Sequence, residues 1–248
     1  MSSLGDRMKG YENVWKQKMP KRMPFIIRID GKAFHTYTKV FDDIFSEKLH
    51  SAMCITAKYL CKNIQGCRLA YTQSDEISLL LTDYERFNTE AWFDKEIQKI
   101  VSVSASYATA KFNDIMINYD IENLAQFDSR VFNLSKDEIC NYFIWRQNDA
   151  VRNSIRMLGR KYFSHNNLQN KSNSEVQDML MDKHNVNWND LDTWKKRGSC
   201  VRKVNQLTKD FTTGEEKYVK EFQITTNPPI FTKNRDYIND RVYIAKEK

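Results

Sequence analysis

The chain has 248 residues, of which 41% are hydrophobic and 29% are charged, as is ordinary for a globular protein. No apolar run approaches the ~20 residues that span a bilayer, and residues 1–9 lack the apolar core of a signal peptide, so we expect a cytoplasmic protein with no membrane segment. The formal net charge of +7 is compatible with a polyanionic partner. Five cysteines without a Cys-x-x-Cys pair argue against a disulfide framework and against a zinc site.

The chain begins with a polar and basic segment, residues 1–23, that is expected to include a short helix. An apolar run over 25–29 then predicts a buried strand that ends at Asp30. A helix is expected over 42–60, because apolar residues recur there every three or four positions and two aspartates suit its N-terminus.

Two further apolar runs, 68–71 and 77–81, enclose turn residues and predict a β-hairpin whose tip carries an acidic pair beginning at Asp75. A second helix is expected over 90–112, followed by a strand over 129–134. The resulting order, strand–helix–strand–strand–helix–strand, is that of the split βαβ pattern in ferredoxin-like sheets.

The second half of the chain predicts mostly helices. Ser135 and Glu138 match a capping box at the start of a long helix that ends near residue 163. The segment 164–174 is rich in Asn and Ser and is interpreted as a mobile loop, and a short helix is expected over 175–184.

Strand-like runs over 201–207 and 218–225 enclose Thr212-Thr213-Gly214, which predicts a second hairpin. The fold class is therefore expected to be α+β. We expect a ferredoxin-like domain over 1–134 and, packed on it, a region of helices and a hairpin over 135–248.

The candidate chemistry lies at two strand ends. If the strands that precede Asp30 and Asp75 are neighbours in one sheet, the two carboxylates meet at the same edge. Two carboxylates and a strand-end carbonyl are the oxygen ligands that magnesium prefers. With an incoming triphosphate, such a site holds two Mg²⁺ ions about 3.5–4 Å apart and supports in-line nucleotidyl transfer.

Several short motifs, taken in order, resemble those of the tRNA-His guanylyltransferase superfamily, whose members add nucleotides to RNA 5′ ends. They are Arg-Ile-Asp-Gly-Lys-Ala-Phe-His at 28–35, Gln-Ser-Asp-Glu at 73–76, Phe-Asp-Ser-Arg at 127–130, Trp-Arg-Gln at 145–147 and, more loosely, 194–198. The resemblance implies a polymerase palm domain in which Asp30 and Asp75 are catalytic and, with the carbonyl of Gly31, bind the metal.

The resemblance also implies a nucleotide-binding site, in which the turn after the first strand cradles the phosphates of ATP and GTP. Its residues would be Gly31, Lys32, Ala33, Phe34 and His35, with Asp42 near the base and with Ser74, Lys99 and Ser102. Lys99 and Ser102 also belong to a polar stripe at 95, 99, 102 and 106, for which a solvated helix face is the default explanation. A helix cap would equally explain Asp42.

Arg152, Arg156 and Arg160 recur every four residues, about 6 Å per step along a helix, which is close to the phosphate spacing of RNA. We interpret this stripe, with Asn153, as a candidate tRNA contact, although a solvated helix face is the alternative. Arg130 matches a family position for RNA contact, but with Asp128 it could form an internal ion pair and nothing more.

One departure from the family pattern bears on specificity. Eukaryotic members carry His-Ile-Asn-Asn two residues after Trp-Arg-Gln, whereas this chain has Val-Arg-Asn-Ser at 151–154, so only Asn153 matches. The resemblance is therefore to the branch that repairs truncated tRNA 5′ ends with the opposite strand as template. It also implies ATP and GTP as substrates and a homo-oligomer, a tetramer.

Three other hypotheses stay open at this point. A guanylyltransferase specific for tRNA-His would keep the same site. A nucleotide cyclase shares the palm and its two aspartates but needs no RNA groove. A non-catalytic RNA-binding module on a ferredoxin-like sheet would stack bases on strand aromatics, whereas the central strands here carry aliphatic residues and terminal acids.

Overall fold

The computed structural model describes residues 3–209 and 216–243. Its strands form one antiparallel sheet in the order β4-β1-β3-β2-β5-β6. The strands are β1 (Phe25–Gly31), β2 (Cys67–Gln73), β3 (Glu76–Leu81), β4 (Phe127–Asn133), β5 (Ser199–Lys209) and β6 (Glu216–Thr225).

The helices lie on both faces of this sheet and beyond its strand ends. They are α1 (Leu4–Asn13), α2 (Phe34–Tyr37), α3 (Glu47–Asn63), α4 (Ile97–Ile117), α5 (Lys136–Tyr162), α6 (His165–Leu168), α7 (Asn173–His184), α8 (Thr193–Arg197) and α9 (Asp236–Val242). No helix in the described ranges is long and apolar enough to cross a bilayer.

The first four strands have the order β4-β1-β3-β2, which is that of a ferredoxin-like sheet, so the predicted α+β fold is confirmed. Strand β1 is central, and its side chains alternate between two cores. Ile27 and Ile29 pack in the core that contains α3 and α4, whereas Ile26 packs with Ile139 and Phe143 of α5. A strand buried on both faces explains the continuous apolar run in the sequence.

Two helices begin later than the sequence predicts. Helix α3 starts at Glu47, because the Ser46 hydroxyl accepts a hydrogen bond from the backbone N–H of Leu49 (3.2 Å), so Asp42 lies in the preceding segment and does not cap the helix. Helix α4 starts at Ile97, not at residue 90. The backbone at 93–95 has three consecutive positive φ angles of 49°, 49° and 60°, which no right-handed helix can contain.

Lys95 is fully buried and therefore does not belong to a solvated polar stripe, contrary to the sequence interpretation. Its ammonium group lies 3.0 Å from the Asp83 carboxylate and donates to the carbonyl oxygens of Pro20 and Met23 at 2.7 and 2.8 Å. A charge this deep is tolerated because it is paired and fully hydrogen-bonded. Lys95 thus holds the segment before β1 against the loop after β3.

The second half differs from the prediction at two helix starts. Ser135 precedes α5, but its hydroxyl makes no capping hydrogen bond, so the predicted capping box there is wrong. The capping box is at Ser172 and Glu175, where α7 begins two residues earlier than expected. The segment interpreted as a mobile loop contains α6, whose Leu168 is buried against α5.

Strand β5 pairs with β2, so the second half of the chain extends the sheet of the first half. The β5–β6 ladder confirms two strands of the predicted hairpin, while Thr212-Thr213-Gly214 lies outside the described residues. The two predicted regions, 1–134 and 135–248, therefore share one sheet. That they have separate roles stays a prediction.

Gly198, immediately before β5, is required by a close approach to β2. A Cβ there would lie 2.4 Å from the Thr72 carbonyl oxygen, and the backbone has φ +73° and ψ −166°, a region open essentially to glycine alone. We expect Gly198→Ala to lower the free energy of unfolding by about 2–4 kcal/mol in urea titrations. Gly10→Ala, in the open space around α1, is the matched control and should be neutral or slightly stabilising.

Candidate active site

The two candidate metal ligands come together at one edge of the sheet. Asp30 lies at the end of β1, directly opposite Glu76 of β3, and Asp75 occupies the turn between β2 and β3. The backbone N–H of Gly31 donates to the Asp75 carbonyl oxygen at 3.1 Å. Ser74, with φ 52°, makes the tight left-handed turn that places Asp75 beside Asp30.

The Asp75 carboxyl has its pKa raised by burial and, to a smaller extent, by the negative charge of Asp30. Neither carboxylate forms an ion pair with a residue in the described part of the chain. Two adjacent half-buried carboxylates without a cationic partner in the described part of the chain fit a site for a hard divalent cation. The described ranges contain no group of three or more His, Cys, Asp and Glu residues that could hold a metal, so magnesium would depend on these two side chains and backbone oxygen.

Glu76, next to Asp75 in the sequence, has a different role. Its carboxylate accepts two hydrogen bonds from Arg146 of α5, at 2.8 and 2.6 Å, and one from Ser78 at 3.1 Å, and both ionic side chains are 7% exposed. The sequence did not indicate this pair, because its partners are 70 residues apart. Its effect is to fasten α5 to the hairpin that carries Asp75.

Arg146 belongs to the Trp-Arg-Gln motif, and the next residue of that motif, Gln147, also makes structural contacts. Its side chain donates to the Pro229 carbonyl oxygen (3.0 Å) and accepts from the Phe231 N–H (2.9 Å). These contacts hold the segment after β6 against α5. The motif therefore has a structural explanation in this chain.

The predicted phosphate-binding turn is a left-handed step at Ala33, φ 55°, followed by α2. A Cβ on Gly31 would lie 2.2 Å from the Phe34 ring, so packing beneath the turn requires glycine at this position. Lys32 points away from the cleft described next and donates to the Gln126 side chain at 3.1 Å.

A cleft of about 860 Å³ joins most of the predicted site. Asp30, Asp75 and the turn with His35 line it, together with one face of α5 and with Trp194 and Lys195 of α8. The predicted residues that line it are Asp30, Gly31, Ala33, Phe34, His35, Asp42, Ser74, Asp75, Asn153, Arg156 and Arg160. The predicted residues outside its lining are Lys32, Lys99, Ser102, Arg130 and Arg152.

The arginine stripe of α5 is not one uniform surface. Arg156 donates to the carbonyl oxygens of Leu168 and Lys171 and to the Asn173 side chain, so it anchors the α6–α7 connection while facing the cleft. Arg152 is paired with Asp149 at 2.9 Å. Among the three, only Arg160 lines the cleft without a hydrogen bond or ion pair to a residue that the structure describes.

Lys99 and Ser102 lie in the first two turns of α4, away from the cleft. The Lys99 ammonium is 5.8 Å from the centre of the Phe93 ring, and the Ser102 hydroxyl donates to the Gln98 carbonyl oxygen at 2.7 Å. Their role in nucleotide binding stays a prediction. Within this single chain, Lys99 and Ser102 do not line the cleft that contains the carboxylates.

Two arginines face each other across the β1–β4 ladder. Arg28 is directly opposite Arg130, and the Arg28 Nε is buried without an acceptor among the described residues. Arg130 is about half exposed and lies 3.4 Å from the Asp128 carboxylate. Like charges directly opposite in a sheet repel each other, so an anion between them would be stabilised. Arg28 is the first residue of the motif at 28–35, but the sequence pattern gave no reason to predict that it binds an anion.

His50 and Trp194 are lining residues that the sequence analysis missed. Their rings stack at 4.0 Å with an interplanar angle of 12°, and the His50 Nε2 lies 2.8 Å from the Ser199 hydroxyl. Burial, with a smaller effect of Lys195, lowers the pKa of His50 to about 4. The imidazole is therefore neutral at pH 7.

This pKa predicts acid destabilisation. Because the folded-state pKa of His50 is below the ordinary 6.5, the unfolded state binds the proton more tightly, and stability falls as the pH drops from 6.5 to about 4. After a discount for partial exposure, we expect His50 to contribute on the order of 2 kcal/mol to this loss. Urea titrations at several pH values should show a shallower acid slope for His50→Phe than for the wild type; equal slopes would contradict the assignment.

Residues 5–135 match the family model described as tRNAHis guanylyltransferase, and this match covers more than half of the chain. The chain belongs to the tRNA-His guanylyltransferase family. It is accordingly a nucleotidyltransferase, and the expectation from the sequence motifs is confirmed.

The similar proteins support the same family at several distances. The structure of a bacterial tRNA(His) guanylyltransferase-like protein in complex with ATP has a TM-score of 0.88 and 46% identity, and covers 98% of this chain and 100% of that one. A probable tRNA(His) guanylyltransferase of Dictyostelium discoideum is 26% identical over 230 residues, 86% of this chain and 84% of its own. The enzyme of Saccharomyces cerevisiae, at 22% identity and a TM-score of 0.66, covers 85% and 95% and shares the fold.

Proposed function

We propose that this member of the tRNA-His guanylyltransferase family adds nucleotides to the 5′ end of tRNA, in the 3′-to-5′ direction, at the Asp30–Asp75 edge. The observation that carries the proposal is a half-buried carboxylate pair without a cationic partner among the described residues, in a cleft that Arg156 and Arg160 also line. The bacterial relative in complex with ATP, and a second structure of such a protein in complex with GTP, support both nucleotides as substrates.

The residues that line the cleft would have different roles. Asp30, Asp75 and the Gly31 carbonyl would hold magnesium, which supplies a lower pKa for the attacking hydroxyl and charge neutralisation for the leaving phosphate. The turn at Ala33 would orient the triphosphate. Arg160, which lines the same cleft, would attract the phosphates of the RNA 5′ end, and holding both reactants in line would provide much of the rate.

The chemistry that we infer has two displacements at phosphorus. The 5′-monophosphate of the RNA attacks the α-phosphorus of ATP, pyrophosphate leaves, and an adenylylated 5′ end forms. The 3′-hydroxyl of the incoming nucleotide then attacks the 5′ phosphorus, and AMP leaves. A 5′-triphosphate end needs no activation and releases pyrophosphate. Arg28 and Arg130, opposite each other in the β1–β4 ladder and outside the cleft lining, are candidates to bind the displaced phosphates.

We further propose that the added base is chosen by the opposite strand. At the four positions that carry His-Ile-Asn-Asn in eukaryotic relatives, Val151 packs against the core between α5 and α7, and the Ser154 hydroxyl accepts from the Trp188 indole at 2.9 Å. Asn153 and Ser154 both line the cleft, but the Asn153 amide donates to the Asp149 carboxylate at 3.4 Å. With so few groups to fix one guanosine, pairing with the facing strand is the remaining source of selectivity.

Templated addition is tested with tRNAs that lack the first 5′ nucleotide and carry each of the four bases at the facing acceptor position. We expect the complementary nucleotide to be incorporated in each case, and an extra guanosine on full-length tRNA-His to be a poor reaction. Guanosine incorporated opposite every base would instead assign the chain to the tRNA-His-specific activity, which the same site also fits.

A nucleotide cyclase is the second candidate, because it would use the same carboxylate pair. Incubation with labelled ATP or GTP without RNA separates the two, since only a cyclase gives a cyclic product. The Arg156 and Arg160 side chains in the cleft wall favour the RNA reaction. The tetramer and the cytoplasmic location implied by the sequence stay predictions; light scattering on the purified chain would measure the first.

A further inference from the structure

His50 is held in one orientation by three neighbours. Its ring stacks on Trp194, and its Nε2 is 2.8 Å from the Ser199 hydroxyl and 3.3 Å from the Cys54 sulfur. Ser199 is fully buried, and Gly198 before it permits the close contact with β2 that fixes this corner. The imidazole is thus a rigid part of the cleft wall.

The other ring nitrogen of His50, Nδ1, is free to bind a ligand. It makes no hydrogen bond to any residue in the described ranges. The buried side-chain atoms that lack a hydrogen-bond partner do not include it, so it is not shut off from solvent. It therefore has access to open space. Because His50 lines the cleft, that space is the cleft itself.

The position of His50 relative to the carboxylates suits the base of a bound nucleotide. Ser199, which contacts the imidazole, is directly opposite Thr72 in the β2–β5 ladder, three residues before Asp75. The imidazole and the carboxylates therefore line the same cleft at different places, as the base and the phosphates of one nucleoside triphosphate would require. The apolar side chains of Phe45, Leu49 and Met53 line the same cleft.

We propose that His50 reads the 6-position of the purine base, accepting a hydrogen bond from the adenine amino group or donating one to the guanine carbonyl. The proposal rests on nucleotide binding in this cleft, as proposed above. A neutral imidazole has one donor and one acceptor nitrogen. When Nε2–H donates to Ser199, Nδ1 accepts; when the Ser199 hydroxyl donates to Nε2, Nδ1–H donates. Rotation of one buried hydroxyl would therefore let a single residue accommodate both ATP and GTP.

The test compares ATP, GTP and purine riboside triphosphate, which lacks any 6-substituent, by calorimetric titration. We expect the wild type to bind ATP and GTP about fivefold to tenfold more tightly than the unsubstituted nucleotide, the effect of one hydrogen bond. His50→Phe keeps a ring against Trp194 and should bind all three equally. His184→Phe, the same change at a histidine outside the cleft lining, is the control and should retain the discrimination.

Inorganic tripolyphosphate, which has no base, should bind the wild type and His50→Phe equally, and this shows that the phosphate site is intact. Ser199→Ala leaves the Cys54 thiol as the donor to Nε2, so Nδ1–H should persist and GTP should be preferred over ATP by a few-fold.

Equal wild-type binding of the three nucleotides, or discrimination that survives His50→Phe, would overturn the role of His50. The proposed function would stand in either case, because incorporation into tRNA is measured separately.

Discussion

Asp75→Asn is expected to abolish nucleotide addition, by at least ~10³-fold or about 4 kcal/mol of transition-state stabilisation, without lowering the free energy of unfolding. The side chain keeps its shape but loses the charge that would bind magnesium. Because burial and Asp30 raise the pKa of Asp75 in the folded state, its ionised form is disfavoured by folding at pH 7. Removing that charge should therefore leave stability unchanged or increase it.

Asp30→Asn should have the same effect on activity. Asp114→Asn is the matched control, since Asp114 is a carboxylate on α4 that is 66% exposed and paired with Lys111. The measurements are single-turnover addition to a truncated tRNA and urea titration of each variant. Near-normal turnover of Asp75→Asn with magnesium present would contradict a metal site at this residue.

Substitutions at Glu76, next to Asp75, and at its partner Arg146 are expected to lower stability, unlike Asp75→Asn. Arg146→Met leaves the Glu76 carboxylate buried without its partner, and we expect the free energy of unfolding to fall by about 3–5 kcal/mol. Glu76→Gln should also be strongly destabilising, because it leaves the Arg146 charge without its two short hydrogen bonds. Both variants would lose activity through unfolding or displacement of the hairpin.

Urea titration of the double variant, Glu76→Gln with Arg146→Met, completes the cycle, and its loss should be well below the sum of the single losses because the two side chains interact. Glu85→Gln at the Arg68–Glu85 pair, where the carboxylate is 50% exposed, is the control and should cost less than about 1 kcal/mol. Additive losses at Glu76 and Arg146 would show that the pair does not act as a unit.

The strand pattern of the first half could be predicted from the sequence because its signals are local. The apolar run at 25–29 and the hairpin around Asp75 fix two neighbouring strands, and the order of elements then places Asp30 beside Asp75. The strand-like run over 218–225 likewise predicts β6, which spans Glu216–Thr225.

The contacts that complete the site could not be predicted, because they join residues far apart in the chain. Glu76 meets Arg146 across 70 residues, and His50 meets Ser199 across 149. Lys95 fitted a helical polar stripe by spacing, but three positive φ angles before α4 turn its side chain inward to Asp83. Periodicity describes one element at a time, whereas these residues are defined by their partners.

The central claim is that the Asp30–Asp75 cleft extends RNA at its 5′ end. The most direct measurement is the length of a 5′-monophosphorylated tRNA lacking its first nucleotide, after incubation with ATP, magnesium and the complementary nucleoside triphosphate. We predict a product longer by one nucleotide at the 5′ end, dependent on ATP and magnesium and absent with Asp75→Asn. An RNA of unchanged length, with ATP or GTP converted to a cyclic nucleotide by the wild type, would contradict the proposed function.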